Sequence, residues 1–174
     1  MRWNRSKVLV AVSIGIGLVS GVLRPLFLAE QAHNDLIASL YHFATTFGTR
    51  SVGLSAFFEG TFRYGRILLL ILACAALPKA RYIALLVLYM RFMALGFSVA
   101  MMVEAFGGRG FAAALTLYGL QNLIAMPVFA YVAYLVVENR PLTLKIPGIG
   151  VVAVFIVAAI EAYISPTLFE SIWR

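Results

Sequence analysis

The sequence predicts an all-α integral membrane protein with five transmembrane helices and an external amphipathic helix between the first and second. Three observations carry that expectation. Of 174 residues, 63% are hydrophobic and only 12% charged, with a mean hydropathy of +0.95. A soluble domain is about half apolar and a quarter charged, and a core of this size could not hide so much apolar surface. The apolar residues fall into long runs separated by short polar turns, and the basic residues sit singly at the ends of those runs. The formal charge of +7 therefore reads as orientation and snorkelling at a lipid surface rather than as a nucleic-acid footprint.

The first span covers about residues 8–28, behind Arg2, Arg5 and Lys7. A basic head before an apolar stretch also fits a signal peptide. The apolar region is longer than the usual signal core, however, and no small-x-small cleavage pattern follows Leu28, so an uncleaved helix is expected. Gly17 and Gly21 form a GxxxG pair, continued back to Ser13, and predict a face for close helix approach. Arg24-Pro25 marks the far end.

Residues 29–57 form an external segment. In DLIASLYHFATTF, Leu36, Ile37, Leu40, Tyr41, Phe43, Ala44 and Phe47 recur at three- and four-residue spacing, which predicts an amphipathic helix on the membrane surface or against the bundle. Gly48 breaks the pattern. The second span, about residues 58–77, ends in ILLLILACAAL and carries Glu59, Arg63 and Arg66 in its early turns, with Glu59 and Arg63 spaced to pair on one face. Pro78-Lys79-Ala80-Arg81 is a turn, residues 82–103 a third span, and EAFGGRG over 104–110 another turn.

The fourth run, residues 111–137, is 27 residues long, about 40 Å as straight helix, and exceeds the ~30 Å hydrocarbon core. It should tilt, or bend at Pro127. Residues 138–150 read as a polar loop. The fifth span, about residues 149–166, should stop at Ser165-Pro166, leaving an amphipathic tail with Trp173 at the interface. With the N-terminus inside, the inner ends carry Arg2, Arg5, Lys7, Lys79, Arg81, Arg140 and Lys145, against Arg109 and Arg174 outside. The positive-inside rule favours a cytoplasmic N-terminus and an external C-terminus.

Four polar residues fall near mid-membrane when depth is counted along each span: Arg91, Gln121, Asn122 and Glu161, each about 15–18 Å from its span's start. Intramembrane charges pair or face water, because hydrocarbon offers no partner. Arg91 and Glu161 are therefore expected to form an ion pair, with Gln121 and Asn122 completing the donors and acceptors. Such a layer serves either as glue between helices or as a solute pathway. A carboxylate held by an arginine stays ionised, which favours glue.

No catalytic constellation emerges: HExxH, GxSxG and paired intramembrane aspartates are all lacking. Gly107-Gly108-Arg109-Gly110 lacks the ending of a phosphate loop and fits a tight turn. Cys74 is the only cysteine, and His33 and His42 have no clustered partners, so neither a metal nor another cofactor is expected.

The segments AAIEAYISP (158–166), LQNLIAMPV (120–128) and YMRFMALGFSVA (89–100) together resemble the stage II sporulation protein M family, and the order of one helix, an external loop and four close-packed spans looks like that family too. The resemblance covers most of the chain from about Leu36. It implies a multi-pass protein of the mother-cell membrane. With the peptidoglycan-degrading stage II sporulation proteins P and D as partners, it would thin the septal wall and drive engulfment of the forespore, as a scaffold or anchor and not as the hydrolase. Gln121, Asn122, Pro127, Glu161 and Pro166 are the positions carried over by the motif match. The competing expectation is a transporter or permease subunit that uses the polar layer as its pathway.

Overall fold

Helices form every regular element among residues 5–46, 53–77 and 80–173, the residues described by this computed structural model. In chain order they are α1 (Arg5–Leu23), α2 (Glu30–Thr46), α3 (Leu54–Ala76), α4 (Ile83–Ala114), α5 (Leu120–Val137), α6 (Lys145–Ala159) and α7 (Ser165–Trp173). A 3₁₀ turn, Arg24–Phe27, extends α1, and π-turns at Leu115–Gly119 and Ile160–Ile164 join α4 to α5 and α6 to α7.

Among the described residues, three helical stretches are long and apolar enough to cross a membrane: Arg5–Phe27, Ile83–Val137 and Lys145–Trp173. The second counts 55 residues, which would extend about 80 Å if straight. It does not run straight. Gly107, at φ 59 and ψ −135, leaves the helical region, and the chain doubles back there. A Cβ on Gly110 would run into the Met102 carbonyl, and Met102 shares a buried cluster with Ala113 and Ala114. Residues that would lie far apart in one continuous helix are thus side by side. The left-handed φ is open to glycine at no steric cost, so the turn expected over 104–110 pivots on Gly107.

Much of the outward surface of α1, α3, α5 and α6 is apolar. Val19, Leu69, Leu123 and Ile149 are all more than half exposed. A soluble protein does not display so many large apolar side chains, whereas lipid accepts them. Inside, Tyr64, Leu68 and Ile71 of α3 meet Leu88 and Phe92 of α4, Phe129 and Val132 of α5, and Val157 of α6.

α1 joins this core along one narrow strip, burying only Val10, Gly17 and Gly21. At Gly17 a Cβ would stand 2.7 Å from the Tyr89 carbonyl oxygen; at Gly21 it would meet the Met93 carbonyl. Gly96 matches the approach from α4, where a Cβ would come within 2.6 Å of the Leu18 carbonyl oxygen. The GxxxG pair is the contact face of α1, and backbone lies directly against backbone.

A second cluster closes one end of the bundle. Phe169 and Trp173 stack at 5.2 Å, Trp173 meets Phe106 edge-on at 4.7 Å, and Tyr41 meets Phe106 at 4.8 Å. The Tyr41 hydroxyl donates to the Ala105 carbonyl at 3.0 Å, and His33 Nε2 lies 3.1 Å from Glu104 Oε1. α2, the Gly107 turn and α7 therefore share one end. At the other end Lys7 Nζ lies 5.8 Å from the Tyr134 ring centroid.

Several expected boundaries move. α3 begins at Leu54 rather than residue 58, and the third span continues to the Gly107 turn instead of stopping at residue 103. α6 begins at Lys145, so much of the expected 138–150 loop is helix. Pro147 does not prevent this, because a first-turn residue has no intrahelical acceptor for its N–H. Ser165-Pro166 does not end the last span. The Ser165 N–H bonds to the Ile160 carbonyl, five residues back, and the helix continues to Trp173. This wide turn makes room for the Pro166 ring, which would otherwise press on the carbonyl four residues before it. α5 likewise continues through Pro127, which lines an apolar groove of about 200 Å³ with Tyr131, Ile146 and Ile149. Phe47, Gly48, Pro78 and Lys79 lie outside the described residues.

Candidate functional site: a polar layer between the helices

α3 contributes two consecutive residues to the layer, Arg63 and Tyr64. Arg63 points toward the last helix and Tyr64, 1% exposed, toward the core. Arg63 Nη1 donates to Glu161 Oε1 at 2.7 Å. Glu161 sits in the π-turn, with its side chain only 20% exposed. Gly60, one turn before Arg63, lets the helices close: a Cβ there would stand 3.3 Å from both Ala158 Cβ and Glu161 Oε2. Glycine and alanine at the crossing bring the carboxylate within reach of the guanidinium.

Arg91 does not pair with Glu161. Its Nη2 donates to Asn122 Oδ1 at 3.3 Å, and its guanidinium lies 5.1 Å from the centroid of the Tyr64 ring. The cause is depth. From the start of its helix Arg91 is eight residues in, about 12 Å, whereas Glu161 is sixteen residues beyond Lys145, about 24 Å. Counting the fifth span from residue 149 brings Glu161 too close to the level of Arg91. Counting the second span from residue 58 leaves Arg63 too shallow, and so suggests Glu59 as its partner. Arg63 lies nine residues along α3 from Leu54 and faces Glu161.

Gln121 and Asn122 stand in the first turn of α5, just after the first π-turn. The Asn122 amide donates to the Tyr118 carbonyl at 2.7 Å, and the Gln121 amide donates to the Leu117 carbonyl. Both carbonyls belong to the π-turn, where the shift to a wider hydrogen-bond register weakens the regular ladder. Each amide thus stabilises backbone of its own helix. Asn122 also presents its oxygen to Arg91, whereas Gln121 Oε1 makes no hydrogen bond to the protein. The same holds for Arg91 Nε and Glu161 Oε2.

The ties run α3 to the Glu161 π-turn, α4 to α5, and α4 to α3. Of the four residues singled out by depth, Arg91 and Asn122 meet; Glu161 has another partner, and Gln121 is turned on its own backbone. Sequence reasoning misses Arg63 as Glu161's partner and Tyr64 altogether. Starting the second span a turn earlier, at Leu54, sets Arg63 nine residues along the helix; Tyr64 carries no sequence signal of its own.

No family model, curated protein or solved structure matches this chain. Fold and site define its class: an all-helical protein with three helices, among the described residues, long and apolar enough to cross a membrane, cross-tied by charged and amide side chains.

Proposed function

We propose that the chain is a five-crossing membrane scaffold that anchors the peptidoglycan-remodelling complex of septal thinning and engulfment in endospore-forming cells. The crossings would be α1, α3, the two arms of the hairpin at Gly107, and the α6–α7 helix. The N-terminus would be cytoplasmic and the C-terminus external. What supports this topology is the sorting of the ends: α2, the Gly107 turn and Trp173 gather at one, and Lys7 meets Tyr134 at the other. α2 would then lie outside, docked by Tyr41 and His33.

The observation that carries the scaffold role is the use of the polar layer. Arg63–Glu161 and Arg91–Asn122 join helices to one another, as structural ties do. Sporulation, the mother-cell membrane and the partners, stage II sporulation proteins P and D, rest on the resemblance of the segments around Arg91, Gln121 and Glu161. In this reading the chain positions the hydrolases and is not an enzyme. Deleting the gene should arrest sporulation at engulfment and leave vegetative growth intact; normal engulfment in the deletion strain would contradict it.

One observation favours the permease alternative: Arg91 Nε, Gln121 Oε1 and Glu161 Oε2 are buried without a protein partner, which leaves them hydrogen-bonding capacity for a solute or water. That reading requires Glu161→Gln to abolish flux in proteoliposomes while the protein still folds.

A further inference from the structure

α3 has two faces of opposite character. One packs Tyr64, Leu68 and Ile71 into the core. The other, running through Glu59, Phe62, Arg63 and Arg66 to Leu69, is exposed. Arg66 lies twelve residues from Leu54 and ten from Ala76, about 18 Å and 15 Å, which is the middle of the helix. Its guanidinium stacks 4.0 Å from the Phe62 ring centroid, one turn toward the N-terminal end and still about 12 Å inside the helix start. Among the described residues no carboxylate lies within ion-pair distance of Arg66. Stacking on a ring shields a cation from hydrocarbon without neutralising it. Facing lipid at the middle of a crossing helix, such a charge costs about 2.5–3.5 kcal/mol, which a carboxylate partner offsets.

We infer that this outward stripe of α3 seats a transmembrane helix of a different chain, and that the helix carries a carboxylate at the depth of Arg66. The inference rests on the five-crossing reading, in which α3 spans the membrane. Charge complementarity selects the occupant. A second copy related by a two-fold axis along the membrane normal would set Arg66 against Arg66, with the nearest exposed carboxylate of α3, Glu59, seven residues or about 10 Å shallower. A foreign helix with one acidic residue at mid-membrane neutralises Arg66, while Phe62 and Leu69, both more than half exposed, give it apolar contact above and below. Arg63 is already held by Glu161, which leaves Arg66 as the determinant.

The test uses the full chain, with Cys74→Ser as background, in vesicles of phosphatidylcholine and phosphatidylglycerol. The probes are synthetic leucine-alanine transmembrane helices carrying either one central glutamate or one central glutamine, and energy transfer reads association. The glutamate helix should bind about tenfold more tightly than the glutamine helix, and Arg66→Met should remove the difference. Equal binding of both helices to the unsubstituted chain overturns the inference. Two other results overturn it in favour of other occupants. Disulfide formation between two Arg66→Cys chains would identify a second copy. Rapid labelling of Arg66→Cys by a membrane-impermeant maleimide would identify an aqueous vestibule. Cysteines at Leu54 and Ala76 separate the two levels: labelling from opposite sides retains the crossing when the inference fails, and labelling from one side removes the crossing as well.

Discussion

Arg63 Nη1 and Glu161 Oε1 stand 2.7 Å apart, joining the ninth residue after the start of α3 to a π-turn ninety-eight positions later in the chain. The contact sits at the crossing of Gly60 and Ala158, so close packing and ion pairing are one device. A largely buried carboxylate is costly without a partner, and pairing offsets that cost. Glu161 therefore reads first as a tie between helices.

The crossing itself can be probed without touching either charge. Gly60→Leu should destabilise the protein by about 1–3 kcal/mol, because the side chain must displace Ala158 and the Glu161 carboxylate. At Gly65, on the same helix, an added Cβ would meet nothing within 4 Å, and Gly65→Ala should be neutral or slightly stabilising. Thermal midpoints in detergent micelles would compare the two.

The α1–α4 interface gives a second contrast. Gly17→Leu or Gly21→Leu should loosen α1 from α4, since the new side chain meets backbone rather than a movable side chain. The expected loss is again about 1–3 kcal/mol. Gly15→Leu, two positions away with open space around it, should leave stability unchanged. Protease sensitivity of the α1–α2 connection would report the separation directly.

Asn122 supplies the oxygen that receives Arg91. Asn122→Leu should cost about 1.5–3 kcal/mol, the range for a hydrogen bond to a charged group, because it strands the guanidinium. Asn122→Leu with Arg91→Met should recover more than half of that loss, since nothing charged is then left without a partner. The check is the unfolding free energy of both single variants and the double variant in the same micelles.

Much of this architecture is visible in the sequence because hydrophobic runs, GxxxG spacing and glycine turns are local signals. The runs give the helices, Gly17 and Gly21 the α1 contact face, and the segment around Gly107 the reversal. Pairing within the polar layer is not local. It depends on where each helix starts, and α3 and α6 begin at Leu54 and Lys145, four residues before the expected 58 and 149. Starts placed at residues 58 and 149 shift the count along each helix by about one turn, enough to exchange Arg63 for Arg91 as the partner of Glu161. The π-turns are hidden for a related reason: Leu115–Gly119 reads as ordinary apolar helix, and Pro166 reads as a stop when a widened turn accommodates it.

The most direct test of the polar layer as a set of specific helix ties is a pair of double-mutant cycles on unfolding free energy, Arg63→Met with Glu161→Met and Arg91→Met with Glu161→Met. A coupling of about 1–2 kcal/mol is expected for Arg63 with Glu161, near zero for Arg91 with Glu161. Coupling to Arg91 in place of Arg63, or to neither, would contradict the account.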